Sequence, residues 1–117
     1  MELVQENLQI FSEARPLTQE ERAALGRTRE AILAIKTVPC TACGYCMDCS
    51  FCVDIPAVFR IYNQYKLFQI GWNAAMEYAE LGEHRTDSCV QCGACVPMCP
   101  QGIPIPESLA LAHSELS

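Results

Sequence analysis

All nine cysteines of this 117-residue sequence fall in two short runs, and no other feature restricts the fold as much. In the first run a cysteine stands at every third position: Cys40, Cys43, Cys46, Cys49 and Cys52. The second, from Cys89 to Pro100, reads C-V-Q-C-G-A-C-V-P-M-C-P and contains Cys89, Cys92, Cys95 and Cys99. Its spacing, C-x2-C-x2-C-x3-C-P, is that of bacterial-type iron-sulfur cluster ligation. Thiolates three residues apart let one loop wrap three corners of a cubane, while the more distant fourth cysteine points away from it. Two such loops can exchange their fourth ligands, as two-cluster ferredoxins do.

The two runs align on each other. Cys43-Gly44-Tyr45-Cys46 matches Cys92-Gly93-Ala94-Cys95, and after a gap of one residue Cys49 to Pro56 matches Cys99 to Pro106. This internal repeat pairs Cys49 with Cys99 as fourth ligand and sets Cys52 opposite Gly102, so Cys52 is the odd one out. Exchange then gives two [4Fe-4S] clusters, one on Cys40, Cys43, Cys46 and Cys99, the other on Cys89, Cys92, Cys95 and Cys49. If Gly102 needs a left-handed backbone, a cysteine at the matching position must bear strain or shift the chain, and a shift could bring its sulfur to iron. Gly44 and Gly93 permit a tight turn that leaves backbone N–H groups free to point at sulfur. Zinc is the competing metal, although zinc sites typically use separated cysteine pairs.

Composition narrows the setting. At 50% apolar the chain holds enough for one modest core, which excludes wholesale disorder. Formal net charge is −6, and each oxidised four-iron cluster with its thiolates brings about −2 more. Nucleic acid and anionic membrane are therefore not expected partners, whereas a basic protein docking near the clusters is. A disulfide-rich secreted chain should open with a positive and then an apolar segment, and Met1-Glu2-Leu3-Val4-Gln5-Glu6 is neither. No apolar run approaches the roughly 20 residues that span a bilayer. The expected setting is cytoplasmic.

Residues 1 to 15 carry enough apolar side chains for a short amphipathic turn or two before Pro16. Thr18 and Glu21 form a capping box, predicting a helix to about Lys36 with Leu25, Ile32 and Ile35 inward. After the first cysteine run, Pro56 suits the start of a helix whose apolar face is Val58, Ile61, Tyr62, Tyr65, Phe68 and Trp72. Gly71 should bend or split it, with a further helix over about Asn73 to Leu81 stopped by Gly82 and a polar turn over Glu83 to Ser88. Pro106 opens a last helix to about Leu116, with Leu109, Ala112 and Leu116 inward. No segment alternates with period 2, so the fold class is all-α, with loops holding metal. His84 and His113 stand alone on polar segments and read as surface residues. There is no phosphate loop, no Ser/His/Asp set and no H-E-x-x-H, hence no catalytic constellation.

The text V-P-C-T-A-C-G-Y-C-M-D-C, then Val53-Asp54-Ile55-Pro56 with Phe59, Tyr62 and Asn63, and finally C-P-Q-G-I-P-I-P, resembles the iron-sulfur C-terminal domain attached to some bacterial and archaeal aldo/keto reductase family proteins. The resemblance covers nearly the whole chain and implies an α-helical ferredoxin fold over residues 18–117, preceded by a connector over 1–17. It implies two [4Fe-4S] clusters as cofactors and, as partner, a redox protein or a fused catalytic domain. The catalytic barrel is not among these residues, so reductase activity does not carry over. Where the family usually reads C-M-P-C-P-x-G, this chain has Cys46-Met47-Asp48-Cys49-Ser50-Phe51-Cys52.

The expected function is electron transfer between a donor and an oxidoreductase partner. The alternatives are a fragment of a larger aldo/keto reductase-like oxidoreductase and a zinc-stabilised interaction module.

Overall fold

The computed structural model describes residues 2–13 and 15–117. They group into two compact units, Met1–Ala34 and Ile35–Ser117. Regular structure is helical throughout, with no strand among the described residues, as the all-α expectation requires. Among these residues no helix is long and apolar enough to cross a membrane.

The first unit holds α1 (Glu2–Ser12) and α2 (Gln19–Ala34). Where the sequence implies a turn or two, the chain makes an 11-residue helix, with Val4, Leu8 and Phe11 on one stripe. Thr18 and Glu21 form the capping box: the Thr18 N–H donates to Glu21 Oε2 at 2.8 Å and the Glu21 N–H to Thr18 Oγ1 at 3.2 Å. Arg15 grips the same carboxylate with two N–H donors at 2.9 and 2.7 Å. Its guanidinium, and then Thr18, hold the Glu21 carboxyl down to about 2. The expected inward stripe of α2 is not buried: Leu25 and Ile32 are each 57% exposed, and no residue of α2 is buried. Periodicity supplies an apolar face, but only a facing surface buries it. The helix also stops short of Lys36, because the β-branched Thr37 and Val38 lead into Pro39, which disfavours helix in the residue before it.

The second unit holds α3 (Ile55–Phe68), α4 (Gly71–Glu80) and α5 (Ile105–Leu116), with 3-10 turns at Gly82–His84 and Thr86–Ser88. Its core is built symmetrically. Val53 and Ile55 lead into α3, Ile103 and Ile105 lead into α5, and all four are at most 3% exposed. Each such side chain contributes about 1.5–3 kcal/mol by leaving water. Phe59 and Tyr62 from α3 meet Leu109, Ala112 and Leu116 from α5, while Ala74 and Tyr78 bring α4 into the same cluster. The two halves of the sequence repeat thus become two facing turns of one core.

Asp54 caps α3 through a 3.0 Å bond from the Ala57 N–H, with Pro56 in the first turn as expected. The α3 stripe is buried at Val58, Ile61 and Tyr62 but ends there; Tyr65 is half-buried, Phe68 is exposed and Trp72 is 71% exposed. Gln69 explains the difference. It adopts φ 57°, its N–H closing on Tyr65 O at 2.7 Å, and so caps α3 before Gly71 starts a separate helix. Gly82, at φ 57°, ends the stretch that follows α4. The last helix carries Leu109, Ala112 and Leu116 inward, as its spacing predicts.

Candidate metal centre

Both cysteine loops are shaped by backbone conformations that most residues avoid. In the first loop Ala42 and Gly44 take φ 54° and 79°; at the matching positions of the second, Gln91 and Gly93 take 55° and 75°. A left-handed residue before and after the middle cysteine of each triplet folds the backbone into a concave nest of the kind that cradles anions and iron-sulfur groups. In the first loop the nest already donates to sulfur, with the Ala42 N–H 3.4 Å from Cys40 Sγ. The turns that follow also match: the Met47 N–H reaches Gly44 O at 2.9 Å and the Val96 N–H reaches Gly93 O at 3.0 Å. Holding Ala42 and Gln91 left-handed costs about 1–2 kcal/mol each, a cost that a bound cluster offsets.

Side chains anchor each loop to the helices. Asn63 on α3 clamps the approach to the first loop, accepting from the Val38 N–H at 2.8 Å and donating to Val38 O at 2.7 Å. The approach to the second is held by Tyr78 and His113. The Thr86 N–H donates to Tyr78 Oη at 3.3 Å, Tyr78 Oη lies 2.8 Å from His113 Nδ1, and His113 Nε2 lies 3.2 Å from Asp87. His84 ties the two stretches together, its Nδ1 2.7 Å from Cys52 O and its own carbonyl accepting from the Asp54 N–H at 2.9 Å. His84 is exposed, as expected, yet hydrogen-bonded, while His113 is half-buried rather than at the surface. Both sit on polar segments, and their partners, 35 and 32 residues away, leave no local signal in the sequence.

The cysteines line two cavities. One, with about 330 Å³ of space counting what opens to solvent, is lined by Cys40, Cys43, Cys46 and Cys99. The other, about 480 Å³ on the same measure, is lined by Cys49, Cys89, Cys92 and Cys95. Six of these eight pack against the core, while Cys43 and Cys92, the middle cysteine of each triplet, face water. Burial pushes the Cys46 thiol up, and repulsion from Cys40, Cys43 and Cys95 pushes it further. Cys95 is likewise pushed up by burial, and then by Cys89, Cys49 and Cys92. Half-buried cysteines side by side are costly to ionise by themselves, and a bound metal cluster would offset that cost. Among the described residues no three Cys, His, Asp or Glu side chains converge as they would on a single ion.

Residues 39–103 match the family model of the 4Fe-4S dicluster domain. The chain belongs to that family. No curated protein and no solved structure matches it. As a member of the dicluster family it is a ferredoxin-like, metal-binding protein that carries [4Fe-4S] chemistry on its cysteines.

Cys52 stands apart in this dicluster domain. It is exposed, lines neither cavity, and takes φ 57°, matching φ 63° at Gly102. Its N–H bonds to Cys49 O at 2.9 Å as that of Gly102 bonds to Cys99 O at 3.1 Å. The chain has kept the glycine geometry and bears the strain. Replacing Cys52 by glycine removes an unfavourable left-handed Cβ, worth about 1–2 kcal/mol, against a gain in unfolded-state freedom of about 0.4–1 kcal/mol. Cys52→Gly should therefore raise the denaturation midpoint of the iron-loaded protein, by about 0.5–1 kcal/mol net, with iron content unchanged. Loss of iron would make Cys52 a ligand.

Proposed function

We propose that this chain is an electron-transfer module holding two [4Fe-4S] clusters with crossed fourth ligands. Cys40, Cys43, Cys46 and Cys99 would hold one; Cys89, Cys92, Cys95 and Cys49 would hold the other. The observation that carries the reading is the lining of the two cavities, each of which takes three cysteines from one loop and its fourth from the other. Such clusters, when bound, accept and release single electrons without making or breaking bonds to substrate. The residues present hold the two sites side by side, with Cys46 close enough to Cys95 to feel its charge, and leave Cys43 and Cys92 at the surface where a partner can approach.

The resemblance to the C-terminal domain of aldo/keto reductase family proteins extends the proposal. Residues 1–17 act as a connector, and residues 18–117 serve an oxidoreductase, fused or separate, as its redox module. With net charge −6, a basic docking surface on that partner is favoured.

Metal analysis tests the reading. Anaerobically prepared protein should contain about eight iron and eight acid-labile sulfide per chain, with visible absorption that bleaches on reduction. Four iron, or zinc in its place, would contradict it.

A further inference from the structure

The two cysteine-lined cavities are alike in fold and unlike in charge. Asp48 lines the cavity of Cys49, Cys89, Cys92 and Cys95, and among the described residues it is the only charged one lining either cavity. Its carboxylate sits next to Cys49 in the sequence, where the matching stretch of the second loop carries Pro97 and Met98 instead. The other cavity has the opposite bias. There the Ala42 N–H points at Cys40 Sγ, 3.4 Å away, and hydrogen bonds to sulfur stabilise added electron density. Charges a little further out do not reverse the difference. The surface hollow beside Cys40 contains both Asp54 and Arg60, which oppose one another, and Asp54 is already engaged in capping α3. On the other side, the first turn of α5 carries Glu107, directly after Pro106, a residue that lines the Asp48 cavity. The first turn of α3 has no acidic residue.

We infer that Asp48 makes the two sites electrically unequal, so that an electron entering this protein resides first at the Cys40, Cys43, Cys46 and Cys99 site. This inference rests on the two-cluster reading above. An added electron raises the negative charge of a site by one, and a carboxylate in the lining opposes that increase, an effect that solvent at the exposed Asp48 weakens without reversing its sign. A donated N–H favours it. The electron comes from a one-electron carrier, itself oxidised by one, and no bond forms or breaks and no proton moves. The Asp48 site is then the one of lower potential, filled last and emptied first.

Potentiometric titration of the anaerobically prepared, iron-loaded chain, followed by electron paramagnetic resonance, tests this. The natural sequence should show two one-electron steps. In Asp48→Asn the more negative step should shift upward, toward the other, while the more positive step stays in place. Thr41, which lines the other cavity, provides the reciprocal test: Thr41→Asp should lower the more positive step and leave the more negative one unmoved. Iron content should stay at that of the natural chain in both variants. If Asp48→Asn moves the more positive step, moves both equally or moves neither, the inference is wrong while the two-cluster reading stands. Loss of iron in Asp48→Asn would give Asp48 a ligand or structural role and equally overturn it. About four iron in the natural chain would remove the two-cluster reading and this inference together.

Discussion

Stripping iron from this protein should cost it most of its tertiary structure. Six cysteines pack against the apolar core of the Ile35–Ser117 unit, and the two loops that bear them join its helices. Under the proposed crossed ligation each cluster would link positions far apart in the sequence, Cys46 to Cys99 in one and Cys49 to Cys89 in the other. A structural metal site is worth about 10–16 kcal/mol in small metal-dependent domains, against a total stability of about 5–15 kcal/mol for an ordinary domain. Removing two such links would also leave Ala42 and Gln91 in left-handed conformations without the bound cluster that offsets their cost. Chelation under anaerobic, reducing conditions should abolish the cooperative thermal transition and the near-ultraviolet circular dichroism of the buried Tyr62 and Tyr78. An iron-free protein with an unchanged melt would show that the helical core stands by itself.

Much of the second unit is legible from the text, for reasons that differ by segment. The last helix is right in extent and in its inward residues, because Pro106 fixes its start and Leu109, Ala112 and Leu116 keep a helical period to its end. The internal repeat is legible because each loop needs the same left-handed residues, and it places Cys52 at the glycine position before any coordinates are known. The long apolar face after Pro56 misleads. Phe68 and Trp72 continue the period, yet Gln69 turns left-handed between them, a conformation a glutamine does not advertise. The α2 stripe misleads differently, since its period is genuine but burial depends on what faces it. The parts that escape sequence reasoning altogether are pairwise and distant. Asn63 clamping Val38, and His113 joining Tyr78 to Asp87, are set by the packing of α3, α4 and α5 and leave no motif. The cysteine cavities lie between these extremes: spacing suggests which cysteines share a cluster, and the fold brings the corresponding groups to two separate linings.

The crossing of ligands is the claim on which the rest depends, and paired serine substitutions test it most directly. Cys99 is adjacent in sequence to the Cys89, Cys92 and Cys95 run but lines the cavity of Cys40, Cys43 and Cys46. Loss of its thiolate should therefore injure the distant cluster. Substitutions within one ligand set should overlap in effect, whereas those in different sets should add. If about eight iron are bound per chain, Cys99→Ser should retain about four. Adding Cys43→Ser to it should remove little more, because the same site is already lost. Adding Cys92→Ser should take iron close to zero. The opposite pattern, with Cys99→Ser overlapping Cys92→Ser and adding to Cys43→Ser, would mean that each loop holds its own cluster and that the ligands are not exchanged.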